Sequence, residues 1–251
     1  THRPLKEPVQ NPLKKTCAPQ SNKMGPKRLK FDAPAAKKSK TTVKKKTPYV
    51  QAIGRTPAHL GFPRLLKIKH RYVHRMDLTT TGGIATYPFR CNGMFDPYAN
   101  AGGHQPMYFD NAAAIYDHFT VLSSTIKIEA VGALGTEVPT VIGCYINDDS
   151  SVATSDIQAL AEQSSCRYKI LGGTSSLPVT VYHSWDAKRA FGGDPLSMSQ
   201  LQGTGTSDPT EQQTYTMYFG PLDTASISRI DAMVTVEYVA VWRELKDQTI
   251  N

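Results

Sequence analysis

The chain has 251 residues with 29 Lys and Arg against 21 Asp and Glu, a formal charge of +8 that is very unevenly held. Residues 1–75 carry 20 of the basic side chains and only Glu7 and Asp32 as acids, a formal +18; residues 76–251 carry nine basic and 19 acidic side chains, a formal −10. Cys17, Cys91, Cys144 and Cys166 lie far apart without a CxxC pair, which argues against a zinc knuckle or a dense disulfide framework. No apolar stretch approaches the roughly 18 residues of a membrane span, the N-terminus lacks the apolar segment of a secretory signal, and no Asn-x-Ser/Thr sequon occurs. These features predict no membrane insertion and synthesis inside a cell.

Residues 1–48 form a basic N-terminal arm with 12 Lys, two Arg and six Pro before Pro48. So few large apolar side chains cannot offset the entropy of ordering such a segment. A polycation joined to an acidic body favours a dense polyanion as partner, because phosphates neutralised by Lys and Arg release counterions without any reading of sequence. Lys14, Lys15, Lys23, Lys37, Lys38, Lys40, Lys44, Lys45 and Lys46 are the arm's candidate nucleic-acid contacts. Lys27, Arg28 and Lys30, followed by Lys37, Lys38 and Lys40, have the spacing of a bipartite nuclear-import signal. Residues 49–251 suffice for one domain.

The first predicted strand begins at Leu66, where Leu66, Ile68, Tyr72, Met76 and Leu78 alternate with Lys67, Lys69, Arg71, Arg75 and Asp77. A period of two buries one face and leaves Lys67, Lys69, Arg71 and Arg75 in a row on the other. This row continues the positive surface of the arm toward nucleic acid; the alternative is an edge strand charged against aggregation. Further strands are predicted at Ile84–Phe89, Thr120–Val131, Val138–Ile146, Arg167–Leu171, Val179–Trp185, Thr214–Phe219 and Ala232–Trp242, separated by Gly/Pro/Asn/Asp clusters. Helices are predicted at Asp110–His118 behind an Asp cap, and from Ser155, where Gln158 completes a capping box and Ile157, Leu160 and Ala161 form the buried stripe. Eight strands without regular helical alternation predict an all-β antiparallel sandwich or barrel with short helices in its loops.

The stretch Phe89–Ile128 resembles the capsid proteins of small circular single-stranded DNA viruses that encode a replication initiator, the circovirus-like group. The matching pieces are NGMFDP (Asn92–Pro97), GHQP (Gly103–Pro106), the Phe109–Asp110 step, a short helix ending in Tyr116-x-His118-Phe119, and VLSSTIKI. The resemblance covers about 40 residues closely and elsewhere is one of architecture. It implies an eight-stranded jelly roll at 49–251 that self-assembles into a small icosahedral shell of about 60 copies. It further implies packaging of single-stranded DNA, host nuclear-import receptors as partners, a cell-surface receptor, and residence in the virion and the host nucleus. The arm departs from this group in being Lys-rich rather than Arg-rich, so it should neutralise phosphate rather than read shape or base. A coat protein of a small RNA virus, or a non-capsid single-strand-binding module, accounts for the same charge pattern. Gly93, Gly102 and Gly103 are expected at positive φ, which makes this segment a connection between strands.

No GxSxG, HExxH, GxxxxGK[ST] or helix-opening GxGxxG occurs, so neither an enzyme nor a cofactor is expected. His70 and His74 share one face of the first strand, while His104, His118 and His183 lie elsewhere; these are read as core-edge or interface histidines, with no metal. GTGTS at Gly203–Ser207 is read as a flexible loop. Loops at Asp148–Asp156 and Gln200–Glu211 are the expected receptor surface. Among aromatics in the basic front, Tyr72 is assigned to the core, and Tyr49 and Phe62 are left as candidates for base stacking.

Overall fold

The computed structural model describes residues 61–100, 102–133, 138–149, 156–172, 177–223 and 226–247. The arm and its predicted contacts from Lys14 to Lys46, including Lys27, Arg28 and Lys30, lie outside the described residues, as does Tyr49. Strands β1 (Leu65–Thr81) and β2 (Ala85–Arg90) come first, then helix α1 (Phe109–Ala113), β3 (Tyr116–Gly132), β4 (Thr140–Asn147), α2 (Ile157–Ala161), β5 (Arg167–Leu171) and β6 (Val179–Asp186). Helix α3 (Ala187–Phe191), two 3₁₀ turns, and strands β7 (Gln202–Thr204), β8 (Thr214–Pro221) and β9 (Ile227–Leu245) complete the described chain. No helix among the described residues is long and apolar enough to cross a membrane.

One sheet runs β1-β9-β3-β6, with β7 added beside β3; the other runs β2-β8-β4-β5. Every pairing is antiparallel. Leaving out the three-residue β7, this is a jelly roll: consecutive strands alternate between two facing sheets except at β4 and β5, which pair as neighbours within the second. Eight strands match the expected set; β7 is a ninth, too short to show a period. It falls within the segment expected as a loop, because Gly203 lets β7 approach β3 closely: a Cβ there would sit 2.3 Å from the Phe119 ring.

β9 supplies the longest run of alternation, burying Ser228, Ile230, Ala232, Val234, Val236, Tyr238, Ala240 and Trp242 between the sheets. β3 faces the same gap through Phe119 and Val121, then through Ser124, Ile126, Ile128 and Ala130. The change from odd to even positions follows from a bulge between Val121 and Ser123, which inserts Leu122 and re-aims every later side chain. Core hydroxyls tie the sheets together. Tyr215 on β8 donates to the Ser124 carbonyl at 2.9 Å, Tyr238 on β9 donates to the Arg90 carbonyl at 2.9 Å, and Thr140 on β4 meets Ser228 on β9 at 2.5 Å. Burial pushes the Tyr215 and Tyr238 hydroxyls well above the usual phenol range, so they stay protonated donors. A second cluster of Val141, Tyr145, Leu160 and Tyr218 packs α2 onto the far face of β4 and β8.

Both helices differ from expectation at their ends. α1 stops at Ala113 because Tyr116, His118 and Phe119 pair with β9 instead, and its N-cap is Tyr108 in the left-handed region (φ 67°), not an aspartate. α2 is capped by Asp156, whose carboxylate accepts from the Gln158 N–H at 3.0 Å, so the cap lies one residue beyond the expected Ser155. Its Leu160 is buried, with Ile157 and Ala161 half-buried beside it.

At the edge strand β5, Tyr168 and Ile170 point outward beside α2, while Arg167 and Lys169 share the face of Cys144 and Ile142, toward the gap between the sheets. Those four side chains are all exposed. Cys91, Cys144 and Cys166 are free thiols.

Candidate nucleic-acid interface

Along β1, burial alternates from Leu65 to Thr81 as the period of two demands. Tyr72 lies in the core as expected, Phe62 is exposed, and Lys67, Lys69, Arg71 and Arg75 all project from the outer face of the first sheet. The neighbouring strand turns the row into a mixed surface. Glu237 of β9 stands opposite Arg71, 2.5 Å from Lys69 Nζ, and accepts from Arg71 Nε at 3.0 Å and Nη2 at 2.6 Å. Lys69 first, and Arg71 with it, hold the Glu237 carboxyl below the usual carboxylate range. With Lys69 and Arg71 mostly exposed, this triad contributes little stability, about 0–1 kcal/mol. Lys67 and Arg75 make no ion pair among the described residues. The basic character ends where Asp77 faces Asp231.

The outer face continues across β3 and β6. Lys127 and Tyr182 are register partners; Lys127 Nζ lies 6.0 Å from the Tyr182 ring centroid and 2.6 Å from Glu129. A groove of about 310 Å³ on this face is lined by Arg71, Val73, Thr125, Lys127, Tyr182 and Glu237. Sequence reasoning missed Lys127, Tyr182 and Glu237, although parity counting would have found them: Tyr182 falls between inward-facing Val181 and His183, and Glu237 between Val236 and Tyr238.

The segment with the family resemblance is a connection whose polar groups are used internally. The Asp208 carboxylate accepts from the Phe95 N–H at 2.9 Å and the Asp96 N–H at 3.1 Å, and stands 3.7 Å from Arg90 Nε. Arg90 also meets the Asp96 carboxylate at 2.8 Å and Gln212 at 2.7 Å. Asn92 donates to the Glu211 carbonyl at 2.8 Å and accepts from the Gln213 N–H at 3.1 Å. Within Gln200–Glu211, Asp208 and the Glu211 carbonyl clamp the NGMFDP turn, while Gln200, Thr206, Ser207 and Thr210 are exposed; of Asp148–Asp156, the described Asp148, Asp149 and Asp156 are exposed. Gly102 has the expected positive φ of 100°, but Gly93 and Gly103 do not. They are required by close approach instead: a Cβ on Gly93 would lie 2.6 Å from Arg90 and 2.9 Å from Asp208, and one on Gly103 would lie 3.1 Å from Tyr98.

The histidines are absorbed into packing. His70 is buried; its Nδ1–H donates to the Met107 carbonyl at 3.3 Å and its Nε2 accepts from the Trp242 indole at 3.0 Å. His74 stacks on Tyr98 at 4.8 Å, and His104 lies over Tyr72 at 4.7 Å. His118 lies on β3, 3.3 Å from Glu244, and His183 donates to the Ser165 carbonyl. Among the described residues no group of three or more His, Cys, Asp or Glu is placed to hold a metal.

No family profile matches the chain, and no curated protein matches it. Solved structures with a similar course of chain include empty-head turnip yellow mosaic virus, at 13% identity and a TM-score of 0.39, covering 78% of this chain and 90% of that one. Cocksfoot mottle virus aligns at 10% identity and 0.42, covering 72% and 96%. The decameric BFDV capsid protein aligns at 11% identity and 0.38, covering 71% and 100%. The jelly-roll assignment rests on strand order and register, independently of these alignments.

Proposed function

We propose that this chain is a viral coat protein whose domain at 49–251 tiles a small icosahedral shell of about 60 copies and whose arm at 1–48 packages single-stranded DNA. The observation that carries this reading is the division of charge, +18 on residues 1–75 and −10 on residues 76–251, in a chain whose body is a jelly roll. An acidic wall discourages nucleic acid outside the shell and favours arms pointing inward. Like charges within each arm repel until cargo neutralises them, so assembly is linked to genome and sensitive to salt. About 60 arms bring on the order of a thousand positive charges, roughly half of what a genome of about two thousand nucleotides carries, the remainder falling to metal ions or polyamines. The choice of DNA follows the resemblance at Phe89–Ile128; the phosphate contacts themselves carry no sugar information. The clusters Lys27–Lys30 and Lys37–Lys40 engage host import receptors, which gives the protein a nuclear stage before the virion, and exposed loops meet a cell-surface receptor.

Electron microscopy of the expressed chain, followed by nuclease digestion of the particle contents, tests the reading. Closed shells holding DNase-sensitive single strands are expected, and deletion of residues 1–48 should leave shells that are empty. Small oligomers without shells would overturn the coat assignment in favour of a single-strand-binding module. Normal packaging by the deletion variant would overturn the role of the arm.

A further inference from the structure

We propose that Tyr182 is a stacking platform for a base of the packaged single strand, with Arg71, Lys127 and Arg167 gripping the flanking phosphates. The proposal rests on the packaging reading and names where on the folded domain the polymer is held. β6 buries Val181 and Trp185 in the core, yet Tyr182 between them leaves 61% of its surface in water. Two depressions border its ring. The groove of about 310 Å³ brings Arg71 from β1 and Lys127 from β3, and a second of about 350 Å³ brings Arg167 from β5 with His183 and Ser184; Thr125 and Tyr182 line both. Lys127 lies over the ring and draws electron density toward that side, while Arg167, which makes no ion pair among the described residues, stands on the other depression.

Arg71 is held by Glu237, which lines the same groove, and Lys127 by Glu129, so these two exchange a carboxylate for a phosphate while Arg167 offers its charge directly. The ring takes a base and the cations take the backbone, an arrangement that binds single strands without reading sequence. Hydroxyls of Thr125, Thr235 and Ser184 line the same depressions and suit sugar and phosphate oxygens. An apolar protein surface would have to strip water from those cations and hydroxyls, so charge complementarity selects the polynucleotide. The arm is joined covalently to the domain through residues 49–64, so polymer recruited by its lysines is held at raised effective concentration around the domain. A stacked base is worth roughly a five- to hundredfold change in affinity.

The test uses the full chain and two probes, a DNA and an RNA oligonucleotide carrying 5-iodouracil, irradiated and mapped by mass spectrometry. Crosslinks are expected on the peptide containing Tyr182. They should fall at least tenfold in Tyr182→Ala and persist in Tyr182→Phe, which keeps the ring. At high salt, where phosphate contacts weaken, Tyr182→Ala should lower affinity with an unchanged salt slope, whereas Arg167→Gln and Lys127→Gln should flatten that slope. Crosslinks confined to residues 1–48 would overturn the platform and leave the packaging reading standing. Absence of crosslinks anywhere on the chain would overturn the packaging reading itself. Loss of shells in Tyr182→Ala, with no wild-type crosslink at Tyr182, would assign the face to a subunit contact and overturn the proposal.

Discussion

Replacing Asp208 by Ala removes the side chain that caps two backbone N–H groups of the NGMFDP turn, while the Asn92 and Arg90 contacts to that turn remain. The carboxylate is 7% exposed and accepts two backbone N–H groups, from Phe95 and Asp96. Each buried donor left without a partner costs about 1–3 kcal/mol. Arg90 loses less, because it keeps Asp96 and Gln212. Part of the cost is returned, since burial raises the Asp208 pKa and so disfavours its charge, an effect that Arg90 only partly counters. The net loss should be about 2–4 kcal/mol, or a fall in Tm of roughly 5–15 °C for a domain of this size. Asp208→Asn keeps one carbonyl acceptor and should lose about half as much. Urea denaturation gives the free energies, and hydrogen exchange at the Phe95 and Asp96 amides locates the damage. An Asp208→Ala protein within about 0.5 kcal/mol of its parent, with those amides still protected, would refute the clamp.

Burial, the larger cause at both sites, lowers the pKa of His70 and of His74, so the unfolded chain binds protons before the folded one does. Stability should be complete above the ordinary value of 6.5 and decline as pH falls below it toward the lowered folded values; urea midpoints from pH 7.5 to 5 that do not fall would contradict this. Gly143→Ala places a Cβ 2.3 Å from the Tyr218 ring and should cost about 1–3 kcal/mol in the same assay. Burial pushes the Cys91 and Cys144 thiols far above the usual range, so native protein at pH 8 should leave both unmodified by a thiol reagent that labels them after unfolding. Glu237→Gln frees Lys69 and Arg71; stability should change by less than about 1 kcal/mol, while the salt slope of nucleic-acid binding steepens by about one to two.

Most of the framework was legible because antiparallel strands with one face on a core must alternate, and β1, β6 and β9 do so over long runs. The features that escaped depend on partners distant in sequence. His118 reads as the end of a helix until β9 captures it as strand. The bulge at Leu122 shows only as a broken phase within an apolar run, and β7 exists because Gly203 admits the Phe119 ring of another strand. Asp208 sits in a polar stretch resembling any surface loop, and nothing local announces that it closes a turn more than a hundred residues earlier. The row from Lys67 to Arg75 was readable by parity, but its partial neutralisation by Glu237 was not, because strand register joins residues 166 apart.

The margin formed by β5 bears on crowding. A foreign strand seeking to extend that sheet would have to dehydrate Arg167 and Lys169, both turned toward the mouth of the sandwich, a cost that opposes the gain from backbone hydrogen bonds and from contact with Tyr168 and Ile170. Many copies pressed together in one compartment therefore resist knitting into fibrils, and their association is left to side-chain surfaces, whose geometry permits closure and reversal.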